Sequence, residues 1–383
     1  MKTLLIDNAI AADPAVLLVV SPTTWIQDAA LRQFYAAAAL AGVRVAVGFP
    51  DLHPGAGAPV GAAFVTDDAI YPHLIGSDIG CGATLFKTDL DRRKTKVDGW
   101  AALPFELEHP WDGDVREFLA EHSLESTEFD HALGTIGGGN HFAELQAVEA
   151  VFDAAAFKEL GVGKQQLAVL VHSGSHGLGE SIQRNYLSEH SITGASPDSF
   201  AGREYLCAQG LCVRWARANR ELIARRFAAA LGTQSLCLWD GCHNSITQAE
   251  SASAGNWIHR RGAVAADGEF VVIPGSRGSL TYVVKPTGDG RSHAWSLAHG
   301  AGRKWARSES RRLMRERFTS AELLQTRLGG RVICEDHDML YEEAPAAYKN
   351  IQAVIQDLVD AGLVSVVATL RPILTYKTRK LRR

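Results

Sequence analysis

Five side chains of the types that bind metal ions stand in short loops rich in glycine, serine or asparagine. Asp78 and Cys81 lie three residues apart in the segment GSDIGCG, so both side chains can point at one position. A carboxylate next to a thiolate suits a borderline divalent ion such as Mn, Zn, Fe or Co, and suits Mg or Ca poorly. Imidazoles from three further loops would complete such a site: His141, His172 and His243. Because five ligands exceed the four of a closed structural zinc site, the pattern favours two ions that share the Cys81 thiolate.

Further loops of this kind run along the chain, and together they bracket six of its 14 histidines. In order, the segments begin at Asp51 (DLHPGAG), Gly134 (GTIGGGNHFAE), His172 (HSGSHGLG), Asp240 (DGCHNS), Ile273 (IPGSRGSLTY) and Ala298 (AHGAGR). One such histidine fits a structural or surface role, but six are hard to explain by packing, because glycine beside histidine adds little to a core. Glycine lets a ligand approach the backbone closely and leaves amide N–H groups free to bind phosphate. With the metal ligands, these loops indicate metal-assisted phosphoryl or nucleotidyl transfer.

The overall composition is that of an ordinary globular protein. Of 383 residues, 46% are hydrophobic and 21% charged, and 36 glycines with 13 prolines are too few for a collagen-like or low-complexity chain. No apolar run reaches the roughly 20 residues that span a bilayer, and the N-terminus does not have the pattern of a secretory signal. The six cysteines are sparse, so a disulfide framework is not expected. We therefore expect a soluble, cytoplasmic protein with no membrane partner.

Charge is unevenly distributed along the chain. The formal net charge of −4 argues against a simple electrostatic nucleic-acid binder. Residues 301–317 nevertheless carry seven basic and two acidic side chains, and residues 371–383 carry six basic side chains and no acid. Two basic segments on an acidic body predict a local anionic partner such as phosphate, nucleotide or RNA. The alternative interpretation is a solvated helix surface followed by a basic C-terminal tail from about residue 371.

Helix-like and strand-like patterns alternate irregularly, and this favours an α+β fold. Residues 24–40 and 200–231 have helical patterns, the first capped by Thr24 and the second with a candidate break near Gly210. Strand patterns cover residues 43–47, 61–65, 235–240 and 269–273, with a Gly/Pro loop at 50–59. The sequence contains no fixed-period repeat and no convincing linker. We therefore expect one catalytic domain over residues 1–383, with mixed sheets surrounded by helices.

The complete series of motifs resembles the RtcB family of GTP-dependent RNA ligases. The matching segments are DLHPG, SDIGCG, GGGNHFAE, HSGSHGLG, CHN, IPGSxG, HGAGR and ATLRPILTYK. They follow the family's order between Asp51 and Lys377, so the resemblance covers most of the chain. Each segment is a weak signal alone, but an ordered set of eight is very specific.

The resemblance implies a fold of the RtcB type, two Mn²⁺ ions and GTP as co-substrate. In that family a histidine is guanylated by GTP, and the GMP then passes to an RNA 3′-phosphate. A 5′-hydroxyl end attacks the resulting RNA-(3′)pp(5′)G and seals the strand. His299, in HGAG, corresponds to the guanylated histidine.

The resemblance also assigns ligands. Asp78 and His141 would hold one ion. His172 and His243 would hold the other, and Cys81 would be shared by both. The following residues stand where the family contacts guanosine and its phosphates: Asn140, Glu144, His243, Asn244, Pro274, Gly275, Ser276, Arg277, Thr281, His299, Gly300, Ala301, Gly302, Tyr348 and Lys377.

Two positions depart from the family's usual pattern. His176 stands where an arginine normally follows TGS in the segment HTGSRG, and loss of a bidentate phosphate clamp should change the grip on the RNA end. Arg277 stands where methionine is common, which would restore one positive charge nearby. These traits and the short chain resemble the RtcB paralogues coupled to a release-factor homologue. They imply repair of broken RNA in or near the ribosome.

Two other functions fit part of the pattern. A dinuclear metal-dependent phosphodiesterase would need the metal ligands but would have no use for His299 or the guanosine loops. A non-catalytic RNA- or ribosome-binding paralogue would tolerate losses among the ligands, yet all six metal and nucleophile positions are filled. An RNA ligase is therefore the preferred prediction.

Overall fold

The computed structural model describes residues 14–190, 192–249 and 255–379. Its strands are β1 (Ala15–Leu18), β2 (Val43–His53), β3 (Val60–Asp67), β4 (Gly82–Asp91), β5 (Phe142–Val151), β6 (Gln166–Ser173), β7 (Ser235–Cys242), β8 (Asn244–Gln248), β9 (Asn256–Arg261), β10 (Ala263–Ala265), β11 (Val271–Ile273), β12 (Thr281–Pro286), β13 (Ser296–Ala298), β14 (Arg331–Cys334) and β15 (Val364–Thr378). Its α-helices are α1 (Asp28–Ala38), α2 (Val97–Ala101), α3 (Val115–Glu121), α4 (Ala154–Leu160), α5 (Gly177–Glu189), α6 (Phe200–Ala230), α7 (Arg307–Arg317), α8 (Ser320–Leu324), α9 (His337–Glu342) and α10 (Ile351–Asp360). Strands and helices follow one another irregularly, and the predicted α+β class is confirmed.

Two mixed sheets and a separate strand pair organise these elements. The first sheet has the order β1–β2–β3–β9–β8, and β10 pairs with β13. The second has the order β11–β12–β15–β5–β6–β4–β7, with β14 pairing with β15. Most neighbouring strands are antiparallel, and the pairs β1–β2 and β14–β15 are parallel.

The antiparallel register of the second sheet brings distant loops to one edge. Gly82, at the start of β4, lies opposite both Ser173 at the end of β6 and Cys242 at the end of β7. Phe142, at the start of β5, lies opposite His172. The residues just outside or at these four strand ends are those with metal-binding side chains. The sheet therefore collects loops that are far apart in the sequence.

Helix α6 packs behind this edge of the sheet. Its N-terminus is capped by Ser199, whose side chain accepts a hydrogen bond from the Gly202 N–H. The break predicted near Gly210 does not occur, because the roughly 1 kcal/mol cost of one interior glycine is offset by burial of large side chains such as Trp215 and Phe227. Although α6 is long, neither it nor another described helix is apolar enough to cross a bilayer.

The basic C-terminal segment is not a tail over its described part. Residues 371–378 complete β15, which lies between β12 and β5 inside the second sheet. Arg371 Nε pairs with Glu149 Oε2 at 3.0 Å, and Lys377 is buried. The prediction of a tail from about residue 371 was wrong, because apolar residues between the basic ones make this a core strand. The basic residues at positions 380–383 lie outside the described residues.

Two boundaries near the N-terminus also differ from prediction. Helix α1 begins at Asp28, and Thr24 does not cap it but donates a hydrogen bond to Asp357. Strand β2 continues through Pro50 to His53, so the Gly/Pro loop starts later than predicted. The carbonyl groups of Pro50 and Leu52 accept hydrogen bonds from Lys349 Nζ, at 3.0 and 2.7 Å, which fixes this end of the strand.

Candidate active site

A cavity of about 450 Å³ opens where the ligand-bearing ends of the second sheet meet the first sheet. Small-molecule sites commonly have roughly 300–1,000 Å³. Most of the predicted site residues line it: Asp78, Cys81, Asn140, His141, His172, His243, Asn244, Pro274, Gly275, Ser276, Arg277, His299, Gly300, Ala301, Gly302, Tyr348 and Lys377. The motif loops therefore form one site.

Five side chains place their donor atoms next to one another. Asp78 Oδ2 lies 3.0 Å from His141 Nε2, and Cys81 Sγ lies 3.5 Å from the same nitrogen. Cys81 Sγ is also 3.3 Å from His172 Nε2. His172 Nε2 is in turn 3.3 Å from His243 Nε2. The donors form two groups that share the thiol, as expected for two metal ions with a common cysteine ligand.

The chemistry of these donors fits divalent metal ions. Nitrogen and sulfur ligands held at about 2.0–2.3 Å from one tetrahedral ion lie roughly 3.3–3.8 Å apart, close to the separations here. Burial lowers the pKa of His172 and of His243 well below the usual value, so both imidazoles are neutral and offer lone pairs. Burial raises the pKa of the Cys81 thiol, so a bound cation would displace its proton. Burial opposes ionisation of Asp78, but the hydrogen bond and charge of His141 lower its pKa.

Glycines beside these ligands leave room that a side chain would fill. A Cβ atom at Gly174 would overlap the Asp78 carboxylate. One at Gly137, where φ is +76°, would lie 2.7 Å from His176 Nε2 and 3.0 Å from His141 Nδ1. A larger residue at either position would displace a ligand.

His299 lies beside the donor group formed by Cys81, His172 and His243, and one of its ring nitrogens is already hydrogen-bonded. Its Nδ1 lies 2.7 Å from Asp51 Oδ2, and its main-chain N–H reaches the same oxygen at 3.3 Å. Asp51 is fully buried in β2. Because a carboxylate only accepts hydrogen bonds, this contact favours the tautomer with the proton on Nδ1 and the lone pair on Nε2. The ring centroid of His299 is 4.7 Å from that of His243, so the His299 ring lies beside a candidate metal ligand.

A second part of the cavity wall carries buried positive charge. Arg277 is buried, and its Nη2 donates to Leu340 O at 2.7 Å. Its Nε and Nη1 have no hydrogen-bond partner among the described residues. Lys377 Nζ donates to Gly139 O at 2.8 Å, and burial lowers the pKa of Lys377 to about 8. An anionic ligand such as phosphate would satisfy these groups.

Two predicted guanosine contacts lie behind the cavity wall. Glu144 is buried and accepts hydrogen bonds from Thr375 Oγ1 at 2.7 Å and Gln146 Nε2 at 2.9 Å. Thr281 accepts a hydrogen bond from the same Gln146 nitrogen at 3.3 Å. Of these residues, Thr375 lines the described cavity and Glu144 and Thr281 do not. Burial raises the pKa of Glu144 to about 7.

His176 does not take the place of a cavity-facing arginine. It is absent from the described residues that line the cavity. Its Nε2 lies 3.0 Å from Ser173 Oγ, and its ring stacks on His141 with a centroid distance of 5.4 Å. Its main-chain N–H donates to Asp78 Oδ1 at 3.1 Å. His176 therefore supports a donor group, whereas Arg277 lines the cavity.

Several cavity residues have roles that the motif pattern does not predict. Glu343 is buried and accepts hydrogen bonds from Arg303 Nη1 at 2.9 Å and from the Tyr348 hydroxyl. Arg303 also stacks on the Tyr348 ring, with 5.1 Å between its Cζ and the ring centroid. Arg303 and Asp51 stand in glycine-rich motifs, which could have drawn attention to them. Glu343 stands in a segment without glycine, so a search for such loops has no signal for it.

Comparison with known proteins bears on this site as a whole. The family profile described as "tRNA-splicing ligase RtcB" matches residues 33–110 and 112–378. The chain is 41% identical over 367 residues to "RNA-splicing ligase RtcB2" of Escherichia coli, covering 95% of this chain and 96% of that protein. It is 28% identical over 439 residues to "tRNA-splicing ligase RtcB" of Thermococcus kodakarensis, covering 90% of each chain. It is also 28% identical to "RNA-splicing ligase RtcB" of Mycobacterium tuberculosis, over 86% of this chain and 96% of that protein.

Proposed function

Because the chain belongs to the RtcB family of RNA ligases, we propose that it joins RNA 3′-phosphate ends to 5′-hydroxyl ends at the expense of GTP. A 2′,3′-cyclic phosphate end would enter the same reaction after water has opened it to the 3′-phosphate. The proposal assigns His299 as the residue that becomes guanylated, and it assigns Mn²⁺ to the two donor groups.

The position of His299 is the observation that carries this proposal. The hydrogen bond to Asp51 holds the proton on Nδ1 and so leaves Nε2 as the free nitrogen, in a ring whose centroid lies 4.7 Å from that of His243. A carboxylate orients metal-ligating histidines in the same way, but His299 belongs to neither donor group among the described residues. The Asp51 carboxylate therefore suits a nucleophile here, because the ring becomes positively charged as it attacks.

The proposed reaction has three steps. His299 Nε2 attacks the α-phosphorus of GTP, the bond to the bridging oxygen breaks, and pyrophosphate leaves. An oxygen of the RNA 3′-phosphate then attacks the phosphorus on His299, and the electron pair of the P–N bond returns to Nε2. Finally the 5′-hydroxyl oxygen attacks the 3′-phosphorus, loses its proton, and displaces GMP to leave a phosphodiester.

Five residues would hold the two ions: Asp78, Cys81, His141, His172 and His243. Bound Mn²⁺ would neutralise charge on the reacting phosphates and on the departing pyrophosphate or GMP. The unpaired N–H groups of Arg277 and the ammonium group of Lys377 support a role in binding nucleotide phosphates. Glu144 would contribute to guanosine binding through Thr375, which lies between it and the cavity. Thr281 would act through Gln146, whose Nε2 donates hydrogen bonds to both Thr281 and Glu144.

We further propose that the substrate is broken RNA in or near the ribosome and that the ligase works together with a release-factor homologue. The departures at His176 and Arg277 support this assignment. The neighbouring gene tests it: a release-factor homologue is expected there, and its absence would count against the coupling.

A phosphodiesterase with two metal ions is the second candidate, because the donor groups alone would suffice for it. The wild-type protein should be incubated with Mn²⁺ and GTP labelled in its α-phosphate, then run on a denaturing gel. A ligase of the proposed kind retains label on the protein and converts a 3′-phosphate and 5′-hydroxyl pair of RNAs into one strand. Unlabelled protein that cleaves RNA without joining it would overturn the proposal in favour of the phosphodiesterase.

A further inference from the structure

Two neighbouring residues of α6, Asn219 and Arg220, lie directly behind the metal-ligand candidates. Both are fully buried, and neither is among the described residues that line the cavity. Neither stands in a glycine-rich motif. Their contacts nevertheless reach every segment from which a candidate ligand comes.

Arg220 contacts three of these segments. Its Nη1 donates to Gly80 O at 2.8 Å, just before Cys81, and to Ser173 O at 3.0 Å, just after His172. Its Nε and Nη2 donate to Asp240 Oδ1 at 3.0 and 2.8 Å, on the strand that leads to His243. A planar guanidinium with several fixed donors suits such a junction.

Asn219 contacts the fourth segment and shares one with Arg220. Its Oδ1 accepts a hydrogen bond from the Gly134 N–H at 2.7 Å, at the start of the loop that ends in His141. Its Nδ2 donates to Gly174 O at 3.1 Å and to Ser173 Oγ at 3.3 Å. Two adjacent side chains on one helix thus tie all four ligand-bearing segments to one rigid element.

Close packing limits movement of these segments against α6. A Cβ atom at Gly82 would lie 3.1 Å from Arg220 Cζ, so the guanidinium packs directly on the backbone that follows Cys81. A Cβ atom at Gly80 would lie 2.9 Å from Ala216 Cβ, one turn earlier on the helix. A side chain at either glycine would push the loop away from α6.

We propose that Asn219 and Arg220 are positioning residues for the metal centre, which hold its four loops at the separations where the donor atoms meet. This inference rests on the proposed function, since it takes the five donors to be metal ligands. Outer-shell contacts that orient ligands are commonly worth roughly 10–100-fold in metal affinity. Removing the contacts of either residue is expected to have an effect of this order.

A buried arginine can also serve stability alone, and Arg260 provides a matched control. It is buried in β9 and donates to Ser296 Oγ at 2.8 Å, Thr247 Oγ1 at 2.7 Å and Trp295 O at 3.2 Å. These partners lie outside the four ligand-bearing segments. Arg260→Lys should therefore lower stability without changing metal binding.

The test is a Co²⁺ titration of the full-length wild type, Arg220→Lys, Asn219→Ser and Arg260→Lys, with thermal melts of each. Co²⁺ reports ligand geometry through its visible bands and its thiolate charge-transfer band. We expect Co²⁺ affinity to fall about 10–100-fold in Arg220→Lys and Asn219→Ser, with altered visible bands. We expect Arg260→Lys to stay within about threefold of the wild type. High Co²⁺ should restore GTP labelling in the two positioning variants, since the nucleophile is unchanged.

Unchanged Co²⁺ affinity and bands in folded Arg220→Lys and Asn219→Ser would overturn the positioning role. So would an equal loss of affinity in Arg260→Lys, which would show a general effect of core damage. If Arg220→Lys does not fold, Asn219→Ser decides the question, because it leaves the charges of the core intact. A wild type that shows no thiolate band with Co²⁺ would instead overturn the metal site of the proposed function.

Discussion

The cavity and helix α7 are both rich in charged side chains. The cavity wall buries such groups without completing their hydrogen bonds, whereas α7 exposes them and pairs them with acids. In the cavity wall Arg277 and His141 are buried, and Arg277 Nε, Arg277 Nη1 and His141 Nδ1 have no hydrogen-bond partner among the described residues. On α7 the arginines are largely exposed and paired. Arg311 and Arg315 bind the two oxygens of Asp338 at 2.6 and 2.5 Å.

This difference separates charge kept for a ligand from charge that solubilises a surface. A buried polar group without a partner costs about 1–3 kcal/mol, so several in one cavity indicate that a ligand completes their hydrogen bonds. Exposed ion pairs are worth about 0–1 kcal/mol. The excess positive charge of residues 301–317 is partly offset by acids of α9 that lie near it only in the folded chain. An anionic partner for the exposed arginines stays a prediction.

The largest expected effect comes from the thiol shared by both donor groups. Cys81→Ser should lose most bound Mn²⁺ and reduce guanylation by more than about 10³-fold, because a hydroxyl is a poor bridging ligand. Metal content by mass spectrometry and GTP labelling check this. Cys207→Ser, at an exposed cysteine, is the control. Near-normal metal occupancy in the Cys81 variant would rule out the shared-ligand assignment.

The next effect concerns Asp51, the carboxylate that is hydrogen-bonded to His299 Nδ1. Asp51→Asn keeps the volume but can donate its amide N–H to His299 Nδ1, which favours the wrong tautomer. GTP labelling should slow by roughly 10²–10⁴-fold in single-turnover experiments, while Mn²⁺ content stays unchanged. Wild-type labelling rates in this variant would show that Asp51 does not set the tautomer.

Arg307 marks the point where the two regions meet, since it begins α7 and also lines the cavity. Arg307→Gln should raise the KM for GTP or RNA by about tenfold. Arg312→Gln, whose side chain pairs with Glu316 on the same helix at 3.1 Å, should change it by less than about twofold. Steady-state kinetics at two salt concentrations compare them. Equal effects of the two substitutions on KM would show that Arg307, which lines the cavity, contributes no more to binding than an exposed arginine of α7.

The smallest effect is on the pH dependence of stability. Burial raises the pKa of Glu144 from 4.5 to about 7, so between these values the folded state binds more protons than the unfolded state. Wild-type stability should therefore fall as pH rises from about 4.5 to 7, by at most about 3 kcal/mol from this group. Glu144→Gln removes this contribution, so the Tm of the variant relative to wild type should be higher at pH 8 than at pH 5. A pH-independent difference would contradict the burial effect.

Much of the site could be predicted because its loops leave a local signature in the sequence. Glycine next to a histidine or cysteine marks a place where backbone and ligand approach closely, and these loops line the cavity. Contacts between distant elements leave no such signature. The pairing of Asp51 with His299 spans 248 residues and depends on how β2 lies against the loop after β13.

The charged segments were predicted less well for a related reason. Composition counts charges along the chain, whereas burial and pairing depend on the fold. Lys377 belongs to a segment with a net positive charge, yet it lies in a strand and is buried at the cavity. The four ligand-bearing segments that Asn219 and Arg220 contact likewise become neighbours only when the second sheet forms.

The assignment of His299 as the guanylated residue is tested most directly by an experiment that separates its role from that of the proposed metal ligands. His299→Ala and Cys81→Ser should each be supplied with RNA that already bears a 3′-diphosphoguanosine end and a 5′-hydroxyl partner. His299→Ala should carry no label from GTP but should seal this RNA, because the nucleophile has no task after GMP has moved. Cys81→Ser should fail at both steps, since bound ions also neutralise charge as GMP departs. Label on His299→Ala protein, or its failure to seal activated RNA while Cys81→Ser succeeds, would contradict the account.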